Sequence, residues 1–230
     1  MQTSIVFSQR TWTGAGDLDD CWVVSALQCV NVVAPWLHLV TVPTFRQAAG
    51  DPDDGKDDGG KIAEIRLGVR TLYPDFEGRM DALRAVAPSV LRAEASKGRP
   101  LSVALMLDQL PARLQYGAKG AIAHQSTIVA KGDRLLFANP LAPMGSRWDD
   151  VAWSDVLPAI RAYGNGSCYA VAFPTQAELA PFYPGVAGLV AAAHETPSPE
   201  ALAAARAAGA VAGFGDAKLK AQAAVAGIAP

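Results

Sequence analysis

Cys21 lies where a polar approach changes abruptly into a helix-like apolar run, in the string DDCWVVSALQCVN. A cysteine in the first turn of a helix meets unpaired backbone N–H groups and the positive end of the helix dipole. Both favour the thiolate, which is the nucleophilic form of cysteine. The position therefore predicts a reactive thiol. The alternative is a buried structural cysteine, which is the usual state of a free Cys.

A cysteine nucleophile needs a base within hydrogen-bond reach and a third group that orients the base. The chain has three histidines. His194 lies in an alanine-rich tail and His38 in a mixed apolar segment, which favours structural or surface roles for both. His124, near the start of the strand-like run AIAHQSTIVA, is therefore the candidate base.

Strand arithmetic predicts the group that orients His124. The string KGDR at 131–134 fits a two-residue hairpin, in which Ser126 would pair with Asn139. Because His124 and Ser126 share a face of the strand, Asn139 would stand diagonally across from His124, ~7 Å away between backbones. Its amide oxygen could then accept a hydrogen bond from one imidazole nitrogen. Phe137 would lie on the same face and shield the pair from water.

These residues resemble the papain-like cysteine peptidase clan. Cys21-Trp22 followed by Ser25-Ala26 is similar to the Cys-Trp-x-x-Ser-Ala nucleophile helix of that clan, and so is the order of Cys, His and Asn. The lead-in VFSQRTW, the strand-ending Asn139-Pro140 and the block SDVLPAIRAYGNGSCYAVAF resemble the bacteriocin-processing (double-glycine) type peptidase-like domains of bacteria and phages more closely. The resemblance spans about residues 4–174.

The resemblance implies a catalytic triad of Cys21, His124 and Asn139, with no cofactor. It also implies that the Gln9 side-chain amide joins the Cys21 backbone N–H in an oxyanion hole. Two features depart from the pattern: Gln9 stands twelve positions before Cys21, farther than in papain, and Trp22-Val23 replaces a Gly-Pro pair.

Three carboxylates precede the thiol, at Asp17, Asp19 and Asp20. Like-charge repulsion would raise the pKa of Cys21, whereas the helix dipole and an imidazolium partner would lower it. The aspartates, together with Trp22, are candidates for binding an amine-bearing substrate. They could equally cap the helix or signal that reactivity has been lost.

The order of elements predicts an α+β class, because helices come first and strands follow. We expect a papain-like cysteine peptidase fold in residues 1–174, with the nucleophile helix packed on an antiparallel sheet. Residues 175–230 are predicted to form an Ala/Pro/Gly-rich helical tail, which would be an attachment segment or linker or, alternatively, a helical layer on the same domain. The predicted helices cover about 19–33, 61–72, 79–86 and 153–163, and the predicted strands cover 4–9, 101–107, 121–130, 134–139 and 167–173.

Composition excludes several classes of partner. A net charge of -2 with 18% charged residues offers no basic patch for nucleic acid or an anionic membrane, and the apolar stretch 22–42 is too broken to span a bilayer. Three cysteines without paired spacing indicate neither a disulfide framework nor a zinc site. The acidic, glycine-rich segment 51–62 lacks the ligands of a calcium loop, so no metal is predicted. Without a signal-like start, the chain is expected to be made in the cytoplasm.

Two functions follow from this reading. The first is a cysteine peptidase or amidase that cleaves a peptide or amide bond, by hydrolysis or acyl transfer, with cell-wall peptides (peptidoglycan) as a candidate substrate by analogy. The alternative is a structural or attachment protein of a larger assembly, such as a phage tail or virion. In that case the tail would dock on a protein partner.

Overall fold

A computed structural model describes residues 20–35, 37, 39–51, 61–143 and 145–182. The predicted strand 4–9 and the residues Gln9, Asp17 and Asp19 lie outside this part of the chain. The helices are α1 (Cys21–Val33), α2 (Val42–Ala49), α3 (Ile62–Leu72), α4 (Pro88–Ser96), α5 (Trp153–Tyr163) and α6 (Gln176–Leu179). The strands are β1 (Asp81–Val86), β2 (Leu101–Met106), β3 (Ala123–Lys131), β4 (Arg134–Ala138), β5 (Asp149–Ala152) and β6 (Cys168–Ala172).

The strands form one antiparallel sheet in the order β1-β6-β2-β3-β4-β5. Helices cover both of its faces. Helices α1, α2, α3 and α6 share one apolar core with β6, whereas α4 and α5 pack on the other face. Because both faces are buried, strands such as LSVALM read as nearly continuous apolar runs. The α+β class and the N-terminal helix packed on an antiparallel sheet are as predicted.

The predicted β-hairpin is confirmed. Lys131 pairs with Arg134, and the register continues to Thr127 opposite Ala138. Gly132 takes a left-handed φ of 62° at the tip, which glycine adopts without strain. The same register places position 126 next to position 139. The predicted hydrogen bond between His124 and Asn139 depends on this pairing.

The predicted helix over 79–86 is wrong. This segment is strand β1, which pairs with β6 and carries a register shift between Leu83 and Val86. Its alanine, leucine and arginine residues favour a helix locally, but the sheet edge beside β6 offers backbone hydrogen bonds and burial for Leu83. Tertiary pairing therefore overrides local propensity here.

Arg99 links β1, α4 and the end of β6. Arg99 is 7% exposed, and its side chain donates to three backbone carbonyls and two carboxylates. The acceptors are Phe173 O (2.8 Å), Ala172 O (3.2 Å), Arg79 O (2.6 Å), Glu94 Oε2 (3.0 Å) and the Asp81 carboxylate.

Arg99→Met should lower the free energy of unfolding by about 2–3 kcal/mol, because it leaves buried carbonyls without a donor. Arg84→Met, on an exposed side chain of β1, is the matched control and should change stability by no more than about 0.5 kcal/mol. Urea unfolding of the two variants measures the difference. Equal stabilities would contradict a structural role for Arg99.

The described chain continues past residue 174 on the same core. Thr175 caps α6 with a side-chain hydrogen bond, and Leu179 is fully buried among the residues that contact α1. The division into residues 1–174 and a tail from 175 stays a prediction, because 183–230 lie outside the described residues. Within the described ranges, no helix is both long enough and apolar enough to cross a bilayer.

Candidate active site

Helix α1 begins at Cys21, as predicted. Asp20 is its N-cap residue by position, but the Asp20 side chain makes no capping hydrogen bond. Cys21 is only 8% exposed, and nearly every residue of α1 is buried. The position of the sulfur is therefore set by how the whole helix packs, more than by its cap.

A buried polar cluster fixes α1 on the sheet one turn after Cys21. Ser25 Oγ lies 2.8 Å from Ser102 Oγ of β2 and 3.0 Å from Thr127 Oγ1 of β3. Thr127 also donates to the Ser25 carbonyl at 3.1 Å, and Gln125 Nε2 donates to Ser102 Oγ at 3.1 Å. Buried networks with satisfied partners specify one packing arrangement. This cluster therefore sets the register of α1 against β2 and β3.

The other end of α1 also packs on the sheet. Val32 contacts the cluster that contains Val129 of β3 and Leu136 of β4. Helix α1 therefore packs on the face of β3 that carries Thr127 and Val129. By strand alternation His124 lies on the other face of β3, and its side-chain hydrogen bond goes to Asn139.

His124 and Asn139 form the hydrogen bond that the hairpin predicts. His124 Nε2 is 2.8 Å from Asn139 Oδ1, and the two residues are 4% and 0% exposed. Asn139 comes directly after β4, and His124 is the second residue of β3. Phe137 is fully buried and pairs with Ile128, which lies on the same face of β3 as His124.

Two backbone groups hold the Asn139 amide in one orientation. Asn139 Nδ2 donates to Leu114 O at 2.8 Å, and Leu141 N donates to Asn139 Oδ1 at 2.9 Å. The oxygen therefore faces His124, and an oxygen can only accept. His124 Nε2 must carry its proton, which leaves the lone pair of the neutral ring on Nδ1.

Burial lowers the pKa of His124 from its ordinary value of 6.5 to about 4, and the hydrogen bond to Asn139 offsets part of that effect. Desolvation disfavours the charged imidazolium. At neutral pH the ring is therefore uncharged, with its lone pair on Nδ1.

Strand alternation divides the neighbours of His124 between two faces. Gln125 and Thr127 point toward α1, whereas Ser126 shares the face of His124. The Ser126 Oγ is buried and has no hydrogen-bond partner. Ser126 is thus a neighbour of His124 that contributes no polar contact of its own.

Two residues predicted to contact a substrate have contacts within the protein, and their role toward a substrate stays a prediction. Asp20 is 4% exposed, and its carboxylate accepts from Arg46 Nε at 2.8 Å. Trp22 is 2% exposed and meets the ring of Phe45 edge-on, with 5.8 Å between centroids. The predicted substrate contacts of Asp17 and Asp19, and the oxyanion role of Gln9, concern residues outside the described part of the chain.

The other two cysteines are core residues, as predicted. Cys29 and Cys168 are fully buried, and burial raises the pKa of both thiols. Both are therefore held as neutral thiols, which are poor nucleophiles.

Several site residues escaped sequence reasoning. Leu114 and Leu141 orient Asn139 through backbone atoms, which no side-chain pattern reveals. Arg46 and Lys61 reach the start of α1 from α2 and from the residue before α3. Their charge is visible in the sequence, but the contact depends on tertiary packing.

Comparison with solved structures finds a protein from Bacillus anthracis that has been provisionally assigned as a C39-like peptidase. The superposition has a TM-score of 0.47 and 12% sequence identity, and it covers 74% of this chain and 97% of that chain. No protein-family model and no curated protein sequence matches the chain. The case for a function therefore depends on the geometry of the site itself.

Proposed function

We propose that the protein is a papain-like cysteine peptidase or amidase whose catalytic triad is Cys21, His124 and Asn139. The observation that carries the proposal is the buried His124–Asn139 pair, in which the orientation of Asn139 leaves a lone pair on His124 Nδ1. A second support is the polar cluster that fixes the helix of Cys21 on the strand of His124.

The first step would be attack on a peptide or amide carbonyl. As the Cys21 sulfur forms a bond to the carbonyl carbon, its proton passes to His124 Nδ1. The imidazolium that forms then donates this proton to the leaving amine as the C–N bond breaks. The hydrogen bond from Nε2 to Asn139 keeps the ring in place while its charge changes.

The second step releases the acyl group. His124 takes a proton from water, the hydroxide adds to the thioester, and the C–S bond breaks to regenerate the thiol. An amine in place of water would give acyl transfer with the same residues. In both steps the oxyanion would be stabilised by the Cys21 backbone N–H and, by resemblance, the amide of Gln9. Cell-wall peptides stay the candidate substrate class.

Incubation of the full chain with casein and with purified peptidoglycan tests the proposal, with release of new amines as the readout. We expect release by the wild type and by Cys29→Ala, which changes a buried thiol away from the proposed site, and none by Cys21→Ala. Release that survives in Cys21→Ala, or no release from either substrate and from a peptide library, would contradict it.

The burial of the site favours one alternative. Cys21 and His124 are 8% and 4% exposed, which suits a scaffold whose site is closed. In that case the protein would be a structural or attachment component of a larger assembly, such as a phage tail or virion. Iodoacetamide separates the two functions: rapid alkylation of Cys21 at neutral pH supports the enzyme, and resistance to alkylation supports the scaffold.

A further inference from the structure

Two buried ion pairs lie around Trp22, the residue after Cys21. Arg46 Nε is 2.8 Å from Asp20 Oδ1, and Lys61 Nζ is 2.9 Å from Asp51 Oδ2. The Arg46 guanidinium carbon and the Lys61 ammonium each lie 5.8 Å from the centroid of the Trp22 ring. The charged residues are between 4% and 8% exposed, so solvent screens them little.

Asp20 is the residue whose charge matters most for Cys21, because the two are adjacent in the chain. A carboxylate at an N-cap position ordinarily accepts a hydrogen bond from the first turn of its helix, but the side chain of Asp20 makes no such bond. Its carboxylate is bound to Arg46 of α2 instead. A buried carboxylate without a cation would be strongly disfavoured, so this pairing belongs to the folded state.

We propose that Arg46 is a positioning residue for Cys21, which holds the Asp20 carboxylate in a buried ion pair so that this charge does not oppose ionisation of the neighbouring thiol. The inference rests on the proposed function for the role of Cys21 as nucleophile. The carboxylates before Cys21 would raise the pKa of the thiol, and Asp20 is the one of them that the structure describes. Pairing with Arg46 would reduce this effect of Asp20.

Four of the described charged residues around the start of α1 form two ion pairs. Asp20 on the helix itself faces Arg46 from α2, and Asp51 after α2 faces Lys61 before α3. His124 of β3 is uncharged at neutral pH. With Asp20 paired to Arg46, the dipole of α1 favours loss of the thiol proton with less opposition from the Asp20 charge.

Removing either member of the Asp20–Arg46 pair should therefore shift the thiol in opposite directions. Arg46→Met removes the cation that is paired with the Asp20 carboxylate, which disfavours a second negative charge on Cys21. Asp20→Asn removes the anion that is paired with Arg46, which favours the thiolate. Arg46→Lys keeps the positive charge and should keep the thiol close to its wild-type behaviour, although a lysine loses the planar donor group.

The rate of iodoacetamide alkylation between about pH 5 and pH 10 measures the pKa of Cys21 in the full chain, with the modified site located by mass spectrometry. We expect Arg46→Met to raise that pKa by about 1–2 pH units and to slow alkylation at pH 7 by about 10-fold or more. Asp20→Asn should lower the pKa by about 1 pH unit, and the double variant should fall between the single variants.

The double variant Asp51→Asn/Lys61→Met is the matched control. It removes a neutral pair from the same tryptophan ring without changing Asp20 or Arg46, so it should leave the Cys21 pKa unchanged even where it lowers stability. A purely structural role for Arg46 predicts lower stability without opposite shifts. If Arg46→Met does not fold, Asp20→Asn and Arg46→Lys decide the question, and an unchanged pKa in Asp20→Asn overturns the proposal.

Failure of this inference and failure of the proposed function give different results. Opposite pKa shifts without any turnover of peptide would support the ion-pair role and overturn the peptidase. Cys21-dependent turnover of peptide, with the same thiol pKa in Asp20→Asn and Arg46→Met, would support the peptidase and overturn the ion-pair role.

Discussion

Alanine at Cys21 and alanine at His124 are each expected to lower kcat/KM for peptide hydrolysis by about 10³–10⁴-fold, and the double variant is expected to lose little more than either single variant. The thiol can attack only if a base accepts its proton, and the base acts only on that thiol. Residues that act as one unit give non-additive losses. Steady-state kinetics on the cleaved peptide of wild type, both single variants and the double variant measure this directly.

Ser126→Ala supplies the control for His124. Ser126 lies on the same face of β3, is equally buried and has an Oγ without a hydrogen-bond partner. Its removal should therefore leave kcat/KM within about 2-fold of wild type and should not lower stability, because no satisfied hydrogen bond is lost. Losses that multiply in the Cys21/His124 double variant would show that the two side chains do not cooperate.

The parts of the site that could be predicted from sequence depend on local rules. The start of α1 follows from the polar-to-apolar change at Cys21, and the His124–Asn139 pair follows from a two-residue hairpin and the period of two along a strand. Each of these rules uses residues that are close together in the chain. That is why the parity across the hairpin could be worked out without knowledge of the rest of the sheet.

The missed parts depend on contacts between distant segments. Residues 81–86 form a strand because they pair with β6, nearly ninety positions later in the chain. Their side chains favour a helix locally, which is why the sequence predicted a helix there. The sequence predicts a cap or a substrate contact for Asp20, but its partner Arg46 comes close only when α2 packs beside α1. Asn139 is held by the carbonyl of Leu114 and the backbone N–H of Leu141. Because both are backbone groups, the side-chain pattern of the sequence does not reveal these contacts.

The two halves of the proposed site are supported by different elements. The β3–β4 hairpin holds His124 and Asn139, whereas α1 holds Cys21. Thr127 joins them, because it is part of β3 and bonds both the side chain and the carbonyl of Ser25. A shift of α1 along the sheet would have to break these buried bonds first. The position of α1 on β3 is therefore tied to the stability of the core.

Lowering the pH from about 7 to about 4 should destabilise the folded protein by about 3 kcal/mol through His124 alone. The pKa of this histidine is about 4 in the folded protein, against an ordinary value of 6.5. Below pH 6.5 the unfolded chain binds a proton that the folded chain excludes, so stability falls as the pH drops. The loss is complete near the folded pKa, and each pH unit between the two values contributes about 1.4 kcal/mol.

His124→Gln isolates this contribution, because glutamine does not titrate and can still donate to Asn139 Oδ1. Urea unfolding of wild type and His124→Gln at several pH values gives the difference in free energy of unfolding. That difference should be constant above about pH 6.5 and should then shift in favour of the variant by about 3 kcal/mol down to pH 4. Acid titration of carboxylates affects both proteins equally and cancels. Parallel curves for the two proteins would mean that His124 takes up its proton in the folded state as readily as in water, and the buried neutral base on which the proposed mechanism depends would be lost with it.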